Sequence, residues 1–227
     1  MNKTGIEWCD YTWNPVVGCT KGCPWCYARR LAKRLRCPEC RAFVPHLHSE
    51  RLVQPDQVKK PSVIFCGSMG EVFDPVISYG AREAIGDTIG RAHQHEYIIL
   101  TKRPERIDMP LRGNLTLGVS VTNQADADER IPPLLKNWPG RKVVSYEPAL
   151  GALSQTRLPM GALDWLIIGA QTGPKAVKPE REWIASAVEH TCLAHVRVFV
   201  KDNIVKHYPE FAGIREWPAG MRQEAGA

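Results

Sequence analysis

The sequence lacks any apolar run long enough to cross a bilayer. Its greasiest stretch, Leu163–Ala170, falls far short of the ~20 consecutive apolar residues a spanning helix needs, so no membrane partner is expected. An apolar leader is also missing. Met1-Asn2-Lys3-Thr4-Gly5 runs straight into Trp and acidic residues, which makes a cytoplasmic location the expectation. Repeats, low-complexity tracts and a clear linker are absent, so residues 1–227 read as a single domain. Neither sign of charge is in large excess. The balance is +6, from 30 Lys+Arg against 24 Asp+Glu, which permits a polyanionic partner without requiring one. Disorder is excluded by a hydrophobic fraction of 44%.

What the chain does have is cysteine in an uneven distribution. Of the 8 cysteines, Cys19, Cys23, Cys26, Cys37 and Cys40 crowd into one short segment. Disulfide frameworks belong to short secreted chains. Clustered thiols in a leaderless chain of this size point to metal instead. Cys9, Cys66 and Cys192 read as small buried hydrophobes.

Short apolar runs alternate with helix-like stretches. Strands are expected at Asn14–Cys19, Ser62–Gly67, Glu96–Lys102, Leu115–Val121, Lys142–Glu147, Asp164–Ala170 and Val196–Lys201. Several are continuously apolar, as suits a parallel sheet buried on both faces. Helices are expected at Pro24–Arg36, Ser78–His93 with Ser78 as N-cap, Glu129–Lys136 despite Pro132 and Pro133, and Pro179–Ala194. This order predicts an α/β fold: a full or partial (β/α) barrel of six to seven parallel strands, with a doubly wound open sheet as the alternative. Residues 36–61 read as an insertion containing cysteine, and residues 206–227 as a C-terminal wrap.

The most informative segment is Gly18-Cys19-Thr20-Lys21-Gly22-Cys23-Pro24-Trp25-Cys26-Tyr27, a C-x3-C-x2-C loop between an expected strand and an expected helix. Three thiolates on one loop can grip three corners of an iron–sulfur cube, leaving one iron open. A structural zinc site takes four ligands. Cys37-Pro38-Glu39-Cys40 is a separate C-x2-C knuckle, and with His46 and His48 it could make a Cys2His2 zinc site. The histidine spacing is tighter than in zinc fingers. Arg29, Arg30, Lys33, Arg34 and Arg36 give the following helix a basic face, which is either solvated or a phosphate-contacting patch.

The three-cysteine loop, with Trp25 just before its last cysteine, resembles the signature of radical S-adenosylmethionine (SAM) enzymes. The resemblance implies a [4Fe–4S] cluster on Cys19, Cys23 and Cys26, SAM as cosubstrate, and a one-electron donor such as flavodoxin or ferredoxin. Further segments extend it along the chain: Thr12-Trp13-Asn14-Pro15, His48-Ser49-Glu50-Arg51-Leu52, Gly67-Ser68-Met69-Gly70-Glu71, Ser145-Tyr146-Glu147-Pro148, Ile168-Gly169-Ala170-Gln171-Thr172-Gly173-Pro174 and Phe199-Val200-Lys201-Asp202-Asn203. Through these the chain is identified as a member of a phage- and prophage-associated three-Cys-motif family of uncharacterised function. Gln171 stands where that family usually has an acidic residue.

The resemblance assigns Gly67, Ser68, Met69, Gly70 and Glu71 to the turn that receives the SAM ammonium, with Trp25 beside the cofactor. Ser120, Glu147, Gln171 and Lys201, at expected strand ends, become cofactor or substrate contacts. It implies hydrogen abstraction from a substrate that is unidentified, with nucleic acid modification or repair as one outcome. A three-Cys-motif partner protein is a further implied partner. The rival reading is a non-catalytic zinc-binding nucleic-acid adaptor.

Overall fold

A computed structural model of the chain describes residues 1–154, 159–173 and 175–221. The chain divides into two compact units, Met1–Thr116 and Leu117–Ala227. Pro174, from the resemblance segments, and residues 222–227 of the expected C-terminal wrap lie outside the described residues.

The first unit contains β1 (Asn2–Lys3), β2 (Tyr11–Trp13), β3 (Val16–Val17), α1 (Tyr27–Ala32), α2 (Pro38–Ala42), β4 (His46–Leu47), β5 (Val63–Cys66), α3 (Tyr79–Arg91) and β6 (Glu96–Thr101). The second carries β7 (Leu115–Val121, starting just before the division), α4 (Gln124–Asn137), β8 (Arg141–Tyr146), β9 (Trp165–Ile168), α5 (Arg181–Leu193), β10 (Arg197–Val200) and α6 (Asp202–Val205).

The fold is mixed α/β, and its mostly parallel sheet strands do not close into a barrel. This corrects the expectation of a full barrel. Each end strand is capped inside its own unit. In the first, β1 lies antiparallel on β2, while β2, β5 and β6 run parallel. In the second, β8, β9 and β10 run parallel, and the chain returns along β10 through the bond from Val200 N–H to Ile214 O. The first expected strand, Asn14–Cys19, is also revised. Pro15 offers no N–H for a ladder, and the chain breaks there: Tyr11–Trp13 joins β5, whereas Val16–Val17 leaves the sheet to pair with β4.

Every residue of β5, β7 and β9 is buried, and all but Thr116 and Ser120 in β7 are apolar, as suits parallel strands covered on both faces. Trp13 and Tyr97 meet edge-on in the first unit, and Phe199 packs against Trp165 and Trp217 in the second. Ser78 caps α3 as expected, its hydroxyl accepting the Ala81 N–H at 3.3 Å. Helix α4 is longer than its prolines suggested, because Asn123 caps it upstream through the Asp126 N–H. Cys9 and Cys66 are buried, but Cys192 is exposed in the last turn of α5. Among the described residues no helix is long and apolar enough to cross a membrane.

Candidate metal centres

The chain leaves β3 at Gly18, whose φ of +97° favours glycine. The Gly18 N–H donates to Met69 O at 3.1 Å, and its carbonyl accepts the Glu71 N–H at 3.0 Å. The Gly67–Glu71 turn at the end of β5 is thereby laced to the entry of the cysteine loop. Side chains add to the lacing. Asn14 Oδ1 accepts the Met69 N–H at 2.8 Å, and the Tyr27 hydroxyl donates to Ser68 O at 2.7 Å.

Inside the loop, Thr20 is fastened to Asp74. Both its N–H and its hydroxyl donate to Asp74 Oδ2 at 2.8 Å, and Asp74 is fully buried. Arg103 donates to the Thr20 hydroxyl at 2.8 Å, and Arg29 donates to Cys19 O at 3.0 Å. Two of the three sulfurs already receive backbone donors: Cys19 Sγ from Lys21 N–H at 3.3 Å, and Cys26 Sγ, capping α1, from Arg29 N–H at 3.4 Å. Cys19 and Cys26 pack with Met69 against Ala28, Ala32 and Phe43. Burial pushes the Cys19 thiol up to about 11, helped by the charges of Glu71, Asp74 and Cys23 and opposed by the Lys21 N–H. Cys19, Cys23 and Cys26 are free and half-buried, as is Trp25.

Among the described residues, Cys19, Cys23 and Cys26 do not form a group whose ligand atoms lie close enough together to hold one metal ion.

Glu71 closes the turn from the inside. Its carboxylate is buried, and it accepts the Thr101 hydroxyl at 2.7 Å, the Phe73 N–H at 3.1 Å and the Lys102 N–H at 3.1 Å. Burial raises its pKa despite those three donors. In this structure Glu71 ties the turn to the end of β6, and the half-buried Ser68, Met69 and Gly70 form the accessible part of the motif.

The insertion builds a second centre. Cys37 caps α2 by accepting the Cys40 N–H, which puts both knuckle sulfurs on one side. His46 sits in β4 and His48 directly follows it. Residues two apart on a strand share a face, so the tight histidine spacing that departs from helical zinc fingers is what an extended segment requires. The ligand atoms of Cys37, Cys40, His46 and His48 all lie within 4.8 Å of one another. Cys40 Sγ is 3.5 Å from His46 Nε2 and 3.1 Å from His48 Nε2, and Cys37 Sγ is 3.7 Å from His46 Nε2. A tetrahedral zinc, with bonds of about 2.3 Å to sulfur and about 2.0 Å to nitrogen, sets such edges near about 3.5 Å. The far ring nitrogens are anchored, His46 Nδ1 at 2.8 Å from Val44 O and His48 Nδ1 at 2.9 Å from Glu50 Oε1, as zinc-bound histidines require. The four residues could bind a metal such as zinc.

The remaining expected contacts belong to the second unit. Glu147 Oε1 lies 3.1 Å from Lys201 Nζ, close enough for an ion pair but out of line for a hydrogen bond. Ser120 is buried, and its carbonyl accepts from Arg130 at 2.7 Å. Gln171 Oε1 accepts the Val177 N–H at 3.1 Å.

Residues 3–210 match the family described as "Protein of unknown function (DUF5131)". The chain belongs to the DUF5131 family. The stretch shared with DUF5131 includes both cysteine groups, the Gly67–Glu71 turn and all four expected contacts of the second unit. Comparisons with curated proteins and with solved structures gave no match. The DUF5131 description assigns no activity. Sequence reasoning passed over Asp74, Thr20 and Phe43. Asp74-Pro75 resembles an ordinary turn, and only folding shows Asp74 reaching back 54 positions to Thr20.

Proposed function

We propose that this protein is a radical SAM enzyme in which Cys19, Cys23 and Cys26 hold a [4Fe–4S] cluster. The reading rests on the lacing of the cysteine loop to the Gly67–Glu71 turn through Gly18, since SAM cleavage needs cluster ligands and an amino-acid-binding turn side by side. When bound, the cluster supplies the electron that splits SAM into methionine and a 5′-deoxyadenosyl radical, which takes hydrogen from the substrate. The chain's own part is binding and orientation. The Lys21 N–H works against the burial that raises the Cys19 thiol, and the Arg29 N–H donates to Cys26 Sγ and fixes where that sulfur points. The half-buried Ser68, Met69 and Gly70 offer polar backbone for the SAM ammonium, with Trp25 flanking the last cysteine. Ser120, Glu147, Gln171 and Lys201 are proposed ligand contacts of the second unit. The exposed Arg30, Lys33, Arg34 and Arg36 support a nucleic acid substrate through phosphate contacts. Flavodoxin or ferredoxin would deliver the electron, and a three-Cys-motif partner protein is proposed as a further component.

The test is anaerobic reconstitution followed by measurement of iron, sulfide and 5′-deoxyadenosine formed from SAM and dithionite. Near-equal iron and sulfide with 5′-deoxyadenosine production, both abolished in Cys23→Ala, is the expected result. Protein that takes up no iron overturns it. The four-residue zinc-type group favours a second reading, a non-catalytic zinc-binding nucleic-acid adaptor. That reading expects colourless zinc protein whose nucleic acid binding survives Cys23→Ala.

A further inference from the structure

We infer that Cys37, Cys40, His46 and His48 form a structural zinc centre that braces the three-cysteine loop, whatever that loop carries. The zinc would fix two segments that touch the loop. The first is β4. Its antiparallel partner β3, paired as Val17↔His46 and Val16↔Leu47, runs directly into Gly18 and Cys19. His48 N–H also donates to Pro15 O at 2.7 Å, so the histidine pair holds the strand that delivers the loop.

The second segment is the end of α2. Phe43 adopts a left-handed conformation at φ 60°, which a non-glycine residue keeps only when its surroundings enforce it. Its N–H donates to Cys40 O, and Val44 N–H donates to Glu39 O. Both bonds anchor it to the helix turn that carries the knuckle cysteines. From that position Phe43 O accepts the Cys19 N–H at 3.3 Å, and Phe43 joins Ala28 and Ala32 in the buried cluster against which Cys19 and Cys26 pack, with the Arg29 guanidinium 4.8 Å above its ring. Zinc binding replaces the thiol protons and joins α2 to β4. The short elements themselves, five residues of helix and two of strand, have little independent stability.

The experiment uses the full-length chain purified in air and shown to be free of iron. Zinc is measured, and alkylation of each cysteine is followed by peptide mass spectrometry with zinc present, after chelation and after zinc is returned. The inference expects stoichiometric zinc in the wild type and in Cys23→Ala, and its loss in Cys37→Ser. It expects alkylation of Cys19 and Cys26 to rise on the order of tenfold when zinc leaves, as local opening does when a loop is unbraced. Returned zinc should reverse the rise, and His46→Cys should retain both zinc and protection. Failure to bind zinc on titration overturns the inference. So does alkylation of Cys19 and Cys26 that ignores zinc, or a rise in which buried Cys66 takes part, because zinc would then be holding the whole unit rather than the loop. None of these outcomes depends on a cluster or on SAM.

Discussion

Gly18 lies against the Val44–Pro45 peptide so closely that a β-carbon would come within 2.4 Å of the Val44 carbonyl carbon. The neighbour is backbone, held by its own hydrogen bonds, and cannot swing aside. The φ of +97° adds strain for any other residue. Gly18→Ala is therefore expected to cost at least about 2 kcal/mol. It should separate the cysteine loop from the insertion, so zinc retention falls with stability. Urea unfolding with parallel zinc analysis checks this, and an unchanged unfolding midpoint would contradict it.

The buried carboxyl of Glu71 gives a prediction with a definite sign. Its folded pKa is raised above the ordinary 4.5, chiefly by burial. The native state thus holds that proton more tightly than the unfolded chain. The Glu71 contribution to stability is most favourable below pH 4.5 and declines as pH rises through the window above that value. Glu71→Gln cannot titrate, so the difference in unfolding free energy between variant and wild type should shift in favour of the variant as pH rises from about 4 to about 7. At low pH the variant should be the weaker, because its amide nitrogen opposes the Lys102 N–H that Oε2 accepts. Urea titrations across that range test the slope. A difference that does not vary with pH would refute it.

Much of the fold was legible because local signals agreed with tertiary demand. Strand β7 has the expected limits, and Ser78 caps α3, since a continuous apolar run and a side-chain cap are decided locally. The boundary errors came where distant contacts decide. Val16 and Val17 look like part of a sheet strand, yet their partner is β4, supplied by the insertion. Barrel closure was equally beyond reach, because it depends on what covers β1 and β10 and not on strand count. Of the candidate sites, the cysteine spacings could be read directly. The engagement of Glu71 by Thr101 could not, because it joins residues 30 positions apart. The histidine spacing was readable but was compared with helices, and it becomes natural once β4 is recognised as extended.

The cysteine loop should also titrate unevenly. With the Cys19 thiol pushed up to about 11, that sulfur is almost wholly protonated at neutral pH in the cluster-free chain. Only the thiolate is nucleophilic. Alkylation of Cys19 should accordingly be slow at pH 7 and keep accelerating to about pH 11. Rates from mass spectrometry across that range check the expectation, and a plateau for Cys19 below pH 9 would contradict it.

The Glu147–Lys201 pair offers the last prediction, because one glycine controls its geometry. A β-carbon on Gly169 would fall 2.4 Å from Glu147 Oε1. The obstructing atoms run back from Oε1 to Cγ, at 2.8 Å, but all belong to one side chain and none to backbone, so Gly169→Ala should displace the whole Glu147 side chain rather than break the fold. Lys201 Nζ, now 3.1 Å from that oxygen, loses this contact. A partly exposed pair of this kind contributes only about 1 kcal/mol or less, so the unfolding midpoint should move little. If Glu147 and Lys201 contact a ligand, as proposed, 5′-deoxyadenosine formation should fall by a larger factor than stability explains. Lys201→Met should reproduce that loss without a clash. A stable Gly169→Ala variant with undiminished turnover would remove the pair from the proposed site and leave it a structural contact of the second unit.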